Sequence, residues 1–341
     1  MVTWVTAYGE EGPPSEPHTL DGSVDDTWVV TLPSVASTDN GDVGDNRIIT
    51  LARIYRTVVG ASGIATYFLV AEVDASDATY NDTDTDATVS DNSQLESTSW
   101  TGPPTDLEGF VMMANGILAG FRENEIWFTE PYRPHAWPAA YALTVEHPIV
   151  GLGIAGQSLV VCTRGNPVIA NGVNPAYITT SKLAALEPCI SRGSILSAPE
   201  GVYYASANGL VLVKAAGAEN ITREIISRDK WQEITGGSAD KAARFGMAYY
   251  AFGTVLPGSF ETTAFETTAF TQEDFSNAFE GIMIDPFNAR VNFSRLSSDD
   301  PVSGVQVDSW TGEVLLIRDG GVYWVDLGDV LVEIEPCVWT S

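Results

Sequence analysis

The chain has 341 residues, 44% of them hydrophobic, with 45 acidic against 17 basic side chains and a formal net charge of −28. That length suits one small domain and one large one, each with its own core. It holds no run of about 18 apolar residues to cross a membrane as a helix and no basic-then-apolar leader at its start. So acidic a surface also excludes sequence reading of duplex DNA by a basic patch.

Residues 1–90 alternate apolar and polar side chains between Gly, Pro and Asp punctuation. Thr3-Trp-Val-Thr-Ala-Tyr8 is the first predicted strand, and Gly9-Glu-Glu-Gly-Pro-Pro-Ser-Glu-Pro17 is its turn and exit. Trp28–Leu32, Ala52–Thr57, Thr66–Val73 and Thr79–Asp82 follow as further strands. The pattern is that of an antiparallel β-sandwich. Val5–Ser15 resembles the closing strands of a fibronectin type III-like domain, and Arg53-Ile-Tyr-Arg56 with Tyr67-Phe-Leu-Val70 resembles the middle strand pair of the next. The order departs from that family, because the closing strands come first.

A linker is expected over 91–106, within a polar stretch from Asp82 to Asp106 that is poor in aliphatic residues and should lie on the surface. It contains Asp82-Thr-Asp-Thr-Asp86 and Trp100-Thr-Gly-Pro-Pro104. A calcium loop on the first of these would need Gly at Ala87 and Glu at Ser93, and both fail. Incidental hard-cation binding stays open there and at Asp39, Asp42 and Asp45.

From 107 to 341 one unit repeats: apolar strand, Gly/Asn/Asp turn, strand, turn. Ile117–Phe121 is followed by Glu125–Phe128, and Ile149–Leu152 by Ser158–Cys162 and Pro167–Ile169. Val202–Tyr204 is followed by Leu210–Val213. Phe245–Phe252, Gly281–Ile284 and Ala289–Phe293 make another set, and Gly304–Val307, Glu313–Ile317 and Val322–Val325 the last. A recurrence of roughly 35 to 60 residues lies in the range of propeller blades. The expected fold is therefore all-β: a β-propeller of about five to six blades, an incomplete ring included, behind an N-terminal fibronectin/immunoglobulin-like sandwich. Helix signals are nearly absent, and the best is Ile178–Leu186 after Asn174-Pro175. Within the first blade, Thr129-Glu-Pro-Tyr-Arg-Pro-His-Ala-Trp-Pro138 forbids regular structure by its prolines. It should be an extended structural connector carrying Tyr132, Arg133, His135 and Trp137, with Tyr132 and Trp137 packed beneath it.

Residue types that carry chemistry are sparse. Cys162, Cys189 and Cys337 form no CxxC pair, so neither a zinc site nor a disulfide framework is expected, and Cys162 reads as a small buried hydrophobe. The chain looks as if it folds in a reducing cytoplasm. His18, His135 and His147 form no HxH or HExxH pattern, and His135 reads as a hydrogen-bonded structural residue. Gly156-Gln-Ser-Leu-Val160 lacks the second glycine of a serine elbow. Gly151-Leu-Gly-Ile-Ala-Gly156 matches GxGxxG, but in a hairpin with no helix after it. No catalytic residue, cofactor or metal is predicted, and the chain is not expected to be an enzyme.

Four phrases together resemble tailed-bacteriophage virion proteins: Tyr8–Ser15, Asn115–Phe121, Glu130–Pro138, and Gly201–Ser206 with Asn208–Val211. Pro131–Pro138 is the specific one among them. The resemblance implies a tail component akin to the propeller-bearing nozzle proteins of short-tailed phages. Such a subunit assembles in the host cytoplasm into a six- or twelve-fold ring, joins other tail proteins, contacts the host surface in some positions, and lets DNA pass without specific binding. The strand-like end at Cys337–Ser341 suggests that the pattern would continue in a longer relative. The alternative is a receptor- or carbohydrate-binding fibre or spike module. A propeller hydrolase is the weakest reading, because no repeated Asp box is found.

Glu261-Thr-Thr-Ala-Phe265 repeats at once as Glu266-Thr-Thr-Ala-Phe270, and Phe260, Phe265, Phe270, Phe275 and Phe279 recur in an acidic stretch. So many rings are out of place in a solvated loop. They either pack on their own blade or bury on a neighbouring subunit. Each buried ring contributes about 1.5–3 kcal/mol. As a subunit contact, the pair Phe265→Ser and Phe270→Ser weakens assembly in sedimentation and leaves the monomer's melting unchanged; early melting of the monomer instead marks internal packing.

Overall fold

Runs rich in Val, Ile, Tyr and Phe between Gly and Asn turns favour strands over helix. In the computed structural model these runs form strands, and the structure describes residues 1–19, 27–32, 48–59, 65–235, 241–245, 248–254, 278–285, 290–297, 304–307, 314–318 and 321–325. Two compact units result. The first is Met1–Leu107 with Gly116–Leu118 and Trp127–Ala142; the second is Glu108–Asn115, Ala119–Ile126 and the described residues from Leu143 onward.

In the first unit, β1 (Val2–Thr6), β2 (Trp28–Thr31), β3 (Ile49–Val59), β4 (Ala65–Asp74) and β5 (Thr79–Asp82) make two antiparallel sheets, β1-β3-β4 and β2-β5. Leu32, Ala52, Ile54, Val70 and Val89 form one core, with Trp4, Val30, Phe68 and Tyr80 packed on it, so side chains of both sheets share it. This is the N-terminal sandwich. Short helix α1 (Asp86–Val89) begins at Thr85, whose hydroxyl accepts from the Thr88 N–H. The stretch from Asp82 to Asp106 is mostly exposed, with Asp82, Val89, Ser97 and Trp100 buried. Its few apolar side chains are enough to pin it down.

Among the described residues, five antiparallel sheets follow in chain order. The first is β6 (Glu108–Met112), β7 (Leu118–Arg122), β8 (Glu125–Phe128) and β9 (Leu143–Thr144), with residues in both units. The second is β10 (Ile149–Ala155), β11 (Ser158–Thr163), β12 (Val168–Asn171) and β13 (Thr179–Lys182). The third is β14 (Leu196–Ala198), β15 (Gly201–Ser206), β16 (Gly209–Lys214) and β17 (Gly217–Asn220), followed by helix α2 (Arg228–Thr235). The fourth is β18 (Lys241–Phe245), β19 (Ala248–Thr254), β20 (Ala278–Asp285) and β21 (Arg290–Ser297). The described strands of the fifth are β22 (Gly304–Val307), β23 (Val314–Arg318) and β24 (Gly321–Val325). Strands within each sheet are ordered as in the chain, and the first strands touch in succession, β6 to β10 to β14 to β18 to β22. These are the blades of a β-propeller, innermost strand first.

The blades are held face to face. Every residue of β15 is buried, and its two parities serve different cores. Val202 and Tyr204 join Val160, Cys162 and Ile169 of the second blade. Tyr203 and Ala205 join Trp231 of α2 and Tyr249 of the fourth. A strand covered on both faces reads as a continuous apolar run. Where the second and third blades meet, the inner strand must be thin: a Cβ on Gly151 would lie 2.6 Å from Ile195 Cδ1, and one on Gly153 2.7 Å from Val202 Cγ1. Gly156, at φ +63°, turns the β10–β11 hairpin. The GxGxxG match is thus blade packing plus a turn.

The helix expected at Ile178–Leu186 is not formed. Asn174 caps a single 3-10 turn, Pro175–Tyr177, and Thr179–Lys182 pairs with β12 as an exposed outer strand. Its β-branched Thr179 and Thr180 favour the strand. Helix α2 inserts Trp231, whose indole N–H donates to the Ser206 carbonyl at 2.8 Å.

Gly153→Ala should lower stability by about 1–3 kcal/mol through overpacking. Combining it with Val202→Ala should cost less than the two changes separately, a coupling that denaturant melts of the four proteins measure.

Candidate functional site

The expected connector folds into the first unit as two tight turns. Arg133 N–H donates to the Glu130 carbonyl at 3.1 Å, Ala136 N–H to Arg133 at 3.0 Å, and Glu130 N–H to Ala136 at 3.0 Å. It is therefore compact where the sequence reading expected an extended segment. Trp137 is buried, its indole N–H donates to Pro134, and its backbone exchanges hydrogen bonds with Thr101 at 2.8 and 2.7 Å. Tyr132 differs from expectation: it is 79% exposed, at φ +59°, with its ring over Gly116. The prolines on either side of the Tyr132–Arg133 pair force the turn outward there.

Two segments far apart in the chain meet beneath the connector. The Arg133 guanidinium lies 4.2 Å from the Trp100 ring centroid, a cation–π distance. The His135 ring meets Trp100 edge-on, centroids 5.9 Å apart. His135 Nε2 is 3.1 Å from the carbonyl oxygen of Glu11. That carbonyl can only accept, so Nε2 carries the proton, and buried Nδ1 has no partner. The Glu11 carboxylate accepts from Thr3 Oγ1 at 2.7 Å, Arg53 at 2.7 Å and the Tyr55 hydroxyl at 2.8 Å. Burial first, then the bond to Glu11, raises the Tyr55 phenol well above its ordinary value. Burial and the bond to Glu130 likewise push the Tyr141 phenol up to about 12. These side chains are engaged in holding segments together.

Asp82, Asp84 and Asp86 face Arg56. Its guanidinium donates to the Asp82 carboxylate at 2.8 Å, to the Asp84 carbonyl at 2.7 Å, and to the Asp86 carboxylate. A cation of this chain's own stands where a calcium ion would. Asp39, Asp42 and Asp45 lie outside the described residues. Among the described residues, no group of three or more His, Cys, Asp or Glu side chains is placed to hold a metal.

Cys162 and Cys189 are both free and buried. Burial first, then the neighbouring Cys189 thiol, raises the Cys162 thiol. A thiol so placed is a weak nucleophile. Sequence reading did not pair the two, since one lies on β11 and the other in the loop before β14. Phe260, Phe265, Phe270 and Phe275 fall outside the described residues, as does Cys337. Phe279 stands in β20, its backbone opposite Thr254.

No protein-family model matches the chain, and no curated protein does. Among solved structures it is similar to an extracellular domain from B. thetaiotaomicron, at TM-score 0.43 and 10% identity over 83% of this chain and 33% of that one. It is also similar to YCF48 from Cyanidioschyzon merolae, at TM-score 0.42 and 14% identity over 69% of this chain and 74% of that one. A third is PorZ of Porphyromonas gingivalis, a surface component of the type-IX secretion system, at TM-score 0.36 and 13% identity over 85% and 31%. The chain spans about one third of the first of these.

Arg56→Ala should destabilise the first unit by about 3–5 kcal/mol, because it leaves buried Asp82 without its cation. Thermal melting checks this. Calcium at millimolar concentration should leave the melting of the parent protein unchanged, since Arg56 already neutralises the carboxylates.

Proposed function

We propose that the chain is a structural subunit of a tailed-phage virion, part of a tail nozzle or tail-tube ring that braces the DNA channel. The observation that carries the reading is the joint at Glu11, Trp100 and His135. It brings together the Tyr8–Ser15 and Glu130–Pro138 phrases, two of the four by which the chain resembles tail proteins. The role is mechanical. A propeller supplies a stiff scaffold of blades packed on both faces, and the sandwich supplies a second body for attachment. Assembly would take place in the host cytoplasm, with other tail proteins and further copies of this chain as partners.

Charge supports the same reading. The net charge is −28, and several described basic groups are committed to carboxylates: Arg53 to Glu11 and Glu72, Arg192 to Glu108, Arg244 to Glu200, Lys182 to Glu146. A wall built this way offers DNA few cations whose binding would release counterions. A second reading, a receptor- or carbohydrate-binding module, has its own support in Tyr8, Tyr132 and Tyr177, each more than three-quarters exposed.

Negative-stain imaging and sedimentation of the purified chain test the proposal. Six- or twelve-fold rings that fail to shift duplex DNA at low salt are the expected result. A trimer favours the second reading, and a monomer at high concentration, or tight salt-sensitive DNA binding, overturns the proposal.

A further inference from the structure

The loop ends of the first two blades enclose a cavity of about 350 Å³ in the second unit. Asn115 contributes from the loop after β6, Gln157 and Ser158 from the β10–β11 turn, and Asn171, Gly172 and Val173 from the end of β12. Asn115 holds the wall: its Nδ2 donates to the carbonyls of Gly172 at 3.3 Å and Val173 at 3.1 Å. That orients the carboxamide and leaves its Oδ1 buried and without a partner. Unpartnered buried acceptors are uncommon in folded proteins and ask for an explanation.

The chemistry of the lining is specific. Its polar groups are three carboxamides and one hydroxyl, and none of its side chains is charged. A carboxamide presents both a donor and an acceptor, as does each hydroxyl of a sugar. Val173 is 77% exposed and, with Ala114, offers an apolar patch for the C–H face of a ring. Gln157 and Asn171 are exposed and make no side-chain hydrogen bond among the described residues, so their amides are free to engage a ligand. A phosphate or carboxylate would find no cation in the wall and a −28 background outside it. The volume is at the lower end of the roughly 300–1,000 Å³ common for small-molecule sites, enough for one or two sugar rings.

We propose that this cavity is a binding site for neutral saccharides, engaged through Gln157, Ser158 and Asn171 with Asn115 as its positioning residue. The site is independent of whether the chain forms a ring. The test is ligand-observed saturation-transfer NMR on the full chain with glucose, galactose, N-acetylglucosamine and maltose as probes, and with inorganic phosphate as the charged control. At least one neutral probe should bind with roughly millimolar affinity. Gln157→Ala and Asn171→Ala, at exposed positions whose side chains make no hydrogen bond among the described residues, should each weaken that binding about five-fold or more while melting stays unchanged. Absence of saturation from all four sugars overturns the proposal. So does binding that both variants retain, or phosphate binding in place of sugar.

Discussion

The close approach of successive blades at their innermost strands is the constraint on which the second unit depends. Gly151 and Gly153 keep β10 free of side chains where Ile195 and Val202 come in. The Ile154 N–H then donates to Ser197 Oγ at 2.9 Å, tying the second blade to the third by an inner-strand hydrogen bond. Only with that spacing can Val202 and Tyr204 reach the second blade while Tyr203 and Ala205 face the other way. Burying both faces of a strand removes far more apolar area from water than one face could, and the stabilisation scales with that area. The cysteine pair follows from the same packing, since Cys162 and Cys189 share the core between these blades.

In the first unit a single carboxylate has the comparable role. Glu11 gathers Thr3 from β1 with Arg53 and Tyr55 from β3, and its backbone carbonyl meets His135. Charge-assisted bonds in a half-buried setting are stronger than neutral ones, and here they converge on a turn that has no regular structure of its own. The connector gains its fixed shape from the outside, through Trp100, Thr101 and Glu11, because its prolines deny it a ladder.

The acidic composition has a structural side as well. Asp82, Asp84 and Asp86 alternate because one guanidinium has to be met by a carboxylate, a carbonyl and a second carboxylate. A motif that reads as half a cation loop is the wrapping of an arginine. Other described carboxylates, such as those of Glu108, Glu146 and Glu219, face solvent.

The all-β class, the blade rhythm and the positions of fully buried strands such as β11 and β15 were legible in the sequence, because a strand covered on both faces must be apolar along its length. Gly304–Val307 was legible to the residue. Two outer strands were not: β13 is Thr-Thr-Ser-Lys and β17 is Gly-Ala-Glu-Asn, whose exposed or half-buried side chains carry no hydrophobic period. Helix α2 escaped for a related reason, since its only apolar side chains, Trp231 and Ile234, are too few to make a periodicity. His135 and Trp137 were singled out by their neighbours in the chain, but their partners Glu11, Trp100 and Thr101 lie too far along it for any local pattern to show. Composition and periodicity determined which residues must leave water. Tertiary structure alone decided which distant groups they meet there, because hydrogen bonds and ring contacts depend on geometry that the period of a strand does not encode.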